Sequence, residues 1–210
     1  MPGTLIVLEG PDGSGTTTHA FLLAERLRAM NRGEASGSWR NKGENVVLTE
    51  EPTEGEHGVR VRRAIGGEEW LEPAEIQELF CLDRRQHVEE IIRPNLDAGV
   101  VLICDRYVPS TIVYGEAGGV DLLLLEQWNA GFPEPDITIF TMASFETCWE
   151  RVRERGAADI FEKEEFLRKV HEGYERYAEE HPEVEVVDTS GRAQDGAEEV
   201  FEIVRGTIGA

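Results

Sequence analysis

The chain has 210 residues, 40% of them hydrophobic and 30% charged, a globular composition at a length that suits one domain with a full core. Asp and Glu number 42 against 21 Lys and Arg, a formal net charge of −21, and such a field repels nucleic-acid backbones, so no nucleic-acid partner is expected. No apolar run approaches the ~18 residues of a spanning helix, and Met1 to Thr4 leads into an apolar run without a basic n-region, so no membrane span, no signal peptide and a cytoplasmic location are expected.

Leu5 to Leu8 is a short continuous apolar run ending at Glu9-Gly10, the pattern of a buried parallel strand. Residues Thr17 to Met30 carry Ala20, Leu23, Ala24 and Leu27 at helical spacing. The stretch from Asn31 to Asn45 is polar and glycine-containing and reads as an exposed loop. Val46 to Thr49 is a second strand. Pro73 opens a long helix closing near Gly99, with Pro94 expected to kink or shorten its last turn. Val100 to Cys104 and Ile137 to Thr141 are the third and fourth strands. Ser144 to Arg155 and Glu162 to Glu180 are helical, Val184 to Val187 is a fifth strand, and Ala197, Val200, Phe201 and Val204 mark a last helix. The three cysteines (Cys81, Cys104, Cys148) are odd in number and scattered, with Cys81 and Cys104 inside apolar runs, which excludes a disulfide framework or a CxxC zinc site. Strands alternating with helices predict one α/β domain: about five parallel strands with helices on both faces.

Gly10-Pro11-Asp12-Gly13-Ser14-Gly15-Thr16-Thr17 lies between a strand and a helix and matches the phosphate-cradling spacing G-x-x-x-x-G-K-[ST] with one departure. Small residues let successive N–H groups turn inward around a phosphate, and the helix N-terminus adds a favourable dipole. The Thr17 hydroxyl is the expected Mg²⁺ ligand. Thr16 stands where the lysine belongs, so another cation must reach the β/γ-phosphates, or the loop binds nucleotide without transferring phosphate. Phe80 and Arg84, four apart on the long helix, share a face. They suit either stacking on a base with a hydrogen bond to its carbonyl or ordinary core packing with an exposed ion pair. Asp105-Arg106-Tyr107 follows the third strand, at the sheet end where α/β folds bind ligands. Arg106 suits a phosphate and Asp105 a Mg²⁺ or its water; a strand-end salt bridge between the two is the plainer alternative.

Leu8 to Gly15, Glu51-Pro52, Phe80 to Pro94, Asp105 to Tyr114 and Asp159 to Glu162 together resemble the thymidylate kinases, in order and through nearly the whole chain. The resemblance implies a three-layer P-loop kinase fold, transfer of phosphate from ATP to dTMP, Mg²⁺ as cofactor and a homodimer. By similarity, Gly10 to Thr18 (Gly10, Pro11, Asp12, Gly13, Ser14, Gly15, Thr16, Thr17 and Thr18) would hold the ATP phosphates, and Asp12 would meet the sugar or phosphate of dTMP. Phe80 would stack on thymine and Arg84 would bond its carbonyl oxygen. Arg106 would take the dTMP phosphate, Ser110 and Tyr114 would line the deoxyribose pocket, and Glu51-Pro52 would close the base side. A lid segment near 151–162 would carry Arg151, Arg153 and Arg155, with Arg153 and Arg155 as the expected donors to ATP.

Three positions depart from the family pattern: Thr16 for the loop lysine, Glu50 where an arginine is common, and Ile160 where the lid commonly has one. Each removes positive charge from a site for polyanions. Two other readings are a nucleotide-binding module without kinase activity and a kinase for another nucleotide. The only lysines are Lys42, Lys163 and Lys169, and an acidic surface poor in lysine reads as adaptation to high salt or as that of an ordinary acidic cytosolic protein.

Overall fold

The structure, a computed structural model, describes residues 3–30, 46–156 and 163–209. Five strands, β1 (Thr4–Glu9), β2 (Val46–Glu50), β3 (Val101–Asp105), β4 (Ile137–Met142) and β5 (Glu185–Asp188), form one sheet in the order β2-β3-β1-β4-β5. All pairings are parallel, with Leu8 opposite Asp105 and Glu9 opposite Phe140. The expected strands are all present, within a residue or two at either end.

Both faces of the sheet are buried at its centre, which explains why β1 and β3 read as continuous apolar runs. Ile6, Leu8, Ile103 and Ile139 face one way, toward Ala20, Leu23 and Leu27 of helix α1 (Thr16–Ala29) and toward Val200 and Val204 of the C-terminal helix. Leu5, Val7, Leu102 and Cys104 face the other way, against Val88, Ile92 and Tyr107. The period of two thus survives inside runs that are apolar on every residue.

Helix α2 (Glu56–Ile65) follows β2, and α3 (Pro73–His87) begins with Pro73 in its first turn behind a capping box made by Glu72 and Glu75. The single helix expected from Pro73 to near Gly99 is divided. A π-helical turn at Val88–Ile92 separates α3 from the short α4 (Arg93–Asp97). Proline has no N–H to donate and its ring presses on the carbonyl one turn back, so Pro94 disturbs the turn that precedes it. Helices α5 (Val108–Ala117) and α6 (Leu122–Asn129) lie between β3 and β4. Helix α7 (Phe145–Arg155) is capped by Ser144, whose Oγ accepts from the Thr147 N–H at 3.2 Å. Helices α8 (Glu164–Glu180) and α9 (Ala193–Gly209) complete the chain. The expected 31–45 loop and residues 157–162 of the lid lie outside the described residues.

Candidate active site

The glycine-rich loop leaves the carboxyl end of β1, between β3 and β4. Gly13 has φ +86°, and a Cβ there would lie 2.3 Å from the Cys148 carbonyl oxygen, so only glycine lets α7 press against the loop. Gly15, at φ +98°, turns the chain into α1. Thr16 is buried, its hydroxyl 3.2 Å from that of Thr141 and 3.3 Å from that of Ser14, while Ser14 and Thr141 are 3.0 Å apart. The residue in the lysine position therefore belongs to a buried hydroxyl cluster tied to β4. Thr17 and Thr18 are exposed at the loop's outer lip.

Asp105 ends β3 beside this lip. It is hydrogen-bonded to Thr17, and burial raises its pKa above the usual carboxylate range, opposed by Arg106 and by Thr17. Its Oδ1 is buried and has no donor among the described residues. An orphaned carboxylate oxygen next to a threonine hydroxyl at a phosphate loop is a hard-oxygen donor set that fits Mg²⁺.

Arg106 adopts φ +71°, which L side chains rarely accept and which turns it back over the loop. Its Nη1 donates to Gly10 O at 3.0 Å and Ser110 Oγ at 3.1 Å, its Nη2 to Asp12 Oδ1 at 2.7 Å, and its guanidinium lies 5.5 Å from the Tyr114 ring centre. Beneath it is Glu9, fully buried, accepting from the Tyr107 N–H (2.6 Å), the Ser110 hydroxyl (2.6 Å) and the Tyr174 hydroxyl (2.8 Å). Burial pushes the Glu9 pKa up, against Arg106 and these hydrogen bonds. The Ser110 hydroxyl is thus spent on Glu9 and Arg106, so Ser110 lines the cleft but acts by positioning.

A cleft opens next to Arg106, lined by Asp12, Pro52, Phe80, Arg84, Arg106 and Tyr114 among others. The expected acceptor residues therefore converge. The open alternative for Arg84, half of an exposed ion pair, is excluded: the side chain is buried. Its Nε donates to Glu51 Oε2 at 2.8 Å, with Nη2 paired to the same oxygen at 2.7 Å; Nη2 donates to Tyr107 O (2.7 Å) and Thr111 Oγ1 (2.9 Å), and Nη1 to Asn129 Oδ1. Glu51, expected to close the base side, is also buried, and it holds Arg84 and His87 (Nδ1 2.9 Å) in place. Glu51, His87 and Cys104 place three ligand atoms close together, but the Arg84 cation already neutralises Glu51 and His87 Nε2 bonds Thr49 at 2.7 Å. This cluster is an internal polar network.

The α7 arginines differ in position. Arg151 reaches the loop, its Nη1 on Gly13 O (3.1 Å) and Nη2 on Thr189 O (2.9 Å). Arg153 and Arg155 are exposed at the helix end. Arg155, four residues on, shares the face of Arg151, whereas Arg153, two residues on, points to the other side. Glu50 is exposed and pairs with Arg62 of α2 at 3.5 Å, so the cation at this edge comes from another element. Glu9, Gln77, Thr111, Asn129 and Thr141 escape sequence reasoning; only Glu9, a charge at the end of an apolar strand, carried a local signal.

The family profile for thymidylate kinase matches residues 8–200. The chain belongs to the thymidylate kinase family. A probable thymidylate kinase of Pyrococcus horikoshii is 38% identical over 211 residues, covering 98% of this chain and 97% of the relative. One from Thermococcus kodakarensis is 35% identical, covering 97% and 98%. The crystal structure of thymidylate kinase from Ehrlichia chaffeensis superposes with a TM-score of 0.75 at 28% identity, covering 97% of this chain and all of that one. The five-stranded parallel sheet with helices on both faces is accordingly the P-loop kinase fold that the resemblance implied.

Proposed function

We infer that this chain transfers the γ-phosphoryl group of ATP to dTMP, giving dTDP and ADP. The observation that carries the reading is Arg106, bonded at once to the loop carbonyl of Gly10 and to Asp12 at the mouth of the Phe80 cleft. It ties the donor loop to the acceptor pocket. The dTMP phosphate is already ionised, so its oxygen attacks the γ-phosphorus as the bond to the β–γ bridging oxygen breaks, and no general base is required. Catalysis is then positioning and charge neutralisation. The loop N–H groups from Gly10 to Thr18 hold the ATP phosphates, Arg106 orients the dTMP phosphate, and Asp12 holds Arg106. Phe80 stacks on the base, Arg84 offers its one remaining N–H to a base carbonyl, and Tyr114 walls the sugar. Thr17 and Asp105 would hold Mg²⁺, which would supply positive charge against the ATP phosphates. The segment near 151–162 acts as the lid of a single domain and keeps water from the γ-phosphate.

A cytoplasmic location is supported by three free, buried cysteines, and a homodimer by exposed apolar side chains such as Trp70 and Leu123. The test is ADP release with ATP, Mg²⁺ and, in turn, dTMP, dUMP, dCMP and thymidine, at low and high salt. Turnover is expected with dTMP. ATP binding without dTMP-dependent ADP formation in any condition overturns the reading in favour of a nucleotide-binding module.

A further inference from the structure

Helix α3 presents Gln77, Phe80 and Arg84 at spacings of three and four, so they share one face, and all three line the acceptor cleft. Gln77 is 2% exposed, and its Oε1 is buried without a donor among the described residues. Withdrawing an amide oxygen from water without a partner is costly, so each such group in a native protein calls for an explanation, and a ligand that supplies the missing donor is one. Of the other polar groups lining this end of the cleft, Glu51, Arg84 and Thr111 are engaged with one another, while the Tyr107 hydroxyl is buried without a partner among the described residues. Thr111 Oγ1 accepts from Arg84, and Arg84 itself spends all but one N–H on Glu51, Asn129, Tyr107 and Thr111.

We propose that the Gln77 amide reads the imide edge of the pyrimidine, its Oε1 accepting the N3–H of thymine. This rests on the assignment of dTMP as acceptor. On a thymine held against Phe80 the polar exocyclic groups are both carbonyls, and N3–H is the one N–H donor. The remaining Arg84 N–H suits a carbonyl; an unpartnered acceptor suits only N3–H. The Gln77 Nε2 then faces a carbonyl flanking N3, which makes two parallel hydrogen bonds. Cytosine has no N3–H and turns an amino group toward Arg84, donor against donor. Gln77 is thus a specificity residue for the 2,4-dioxopyrimidine edge shared by dTMP and dUMP, and it does not read the 5-methyl group.

The experiment compares dTMP with N3-methyl-dTMP in wild type and in Gln77→Leu and Gln77→Glu. Wild type should prefer dTMP by about tenfold to a hundredfold in kcat/KM, carried by KM, the loss typical of a buried acceptor left unpaired. Gln77→Leu should weaken dTMP and shrink that preference severalfold or more with kcat within about twofold, since the amide touches no reacting atom. Gln77→Glu, which keeps an acceptor, should retain more of the preference than Gln77→Leu. Unliganded Gln77→Leu should melt at or above the wild-type temperature. An unchanged preference in Gln77→Leu, or a lower Tm, overturns the assignment. If wild type binds dTMP without turnover, the same ratio read from dissociation constants decides Gln77 while the kinase reading falls. If wild type does not bind dTMP, both fall.

Discussion

Arg84 shows how much of a site residue's work is done inside the protein. Its guanidinium neutralises Glu51 where neither side chain touches water. Removing one member of a buried pair leaves the other uncompensated and costs about 3–5 kcal/mol. Arg84→Ala should therefore lower Tm as well as raise the dTMP KM. Phe80→Ala should raise KM alone, by the ~1–3 kcal/mol of a base stack. Melting curves beside dTMP titrations separate the two, and an unchanged Tm in Arg84→Ala would show that the pair is not structural. Glu9 gives a pH dependence. Its folded pKa lies above the unfolded value near 4.5, so the native state binds the extra proton. The resulting stability is present below about pH 4.5 and lost as pH rises through the raised folded pKa. Glu9→Gln keeps an oxygen for the Tyr107 N–H and offers an N–H to hydroxyls that can reorient. Relative to wild type, its Tm should improve from pH 4.5 toward neutrality; parallel curves would count against a strained Glu9 charge. At this scale the sequence revealed Arg106, because a charged cluster after an apolar strand falls at the ligand end of the sheet. It left Arg84 open between two roles, because Asn129 and Thr111, which decide its burial, lie 45 and 27 positions away.

Elements were legible where their burial is simple. Strands β1 and β3 are buried on both faces and read as apolar runs, whereas the edge strand β5 buries only Val187. Helix α5 is not legible this way, because Pro109, Ile112, Val113 and Tyr114 are all buried and leave no polar face to set a helical period. In α2 the buried residues are only Gly58, Val61 and Ala64, too few to show one. Helix α7 was legible as a helix, but not which of its arginines faces the loop, since that depends on how closely Gly13 lets it approach. With Arg151 on the loop carbonyls, we propose Arg151 and the same-face Arg155 as the cations that stand in for the missing lysine. A catalytic arginine in phosphoryl transfer is worth ~10³–10⁵ in kcat. Arg151→Ala should lower kcat by orders of magnitude with little change in dTMP KM, Arg155→Ala less, and Arg153→Ala least. Steady-state kinetics of the three variants rank them, and a dominant Arg153 would mean that the lid turns α7's far side toward ATP.

For the whole molecule, the charge imbalance sets the response to salt. Of the 21 basic residues against 42 acidic ones, many are already engaged in exposed pairs such as Arg60–Glu69, Arg176–Glu116 and Arg192–Asp195. The unpaired remainder of the surface is therefore mostly acidic. Salt acts on it in two opposing ways. It weakens the exposed pairs, each worth about 0–1 kcal/mol. It also screens the mutual repulsion of the excess carboxylates, which works against the compact state at every separation within a Debye length, ~10 Å at 0.1 M and ~3 Å at 1 M. With a net charge of −21, repulsion outweighs the pairs, so Tm should rise as KCl is added. Most of the rise should come below about 1 M, where the screening length is still changing. Melts in a KCl series, with a parallel sucrose series that strengthens burial without screening charge, distinguish the causes. A flat or falling Tm in KCl would mean that the pairs dominate. A rise that stays linear to several molar and is matched by sucrose would assign the effect to solute exclusion rather than to the acidic surface.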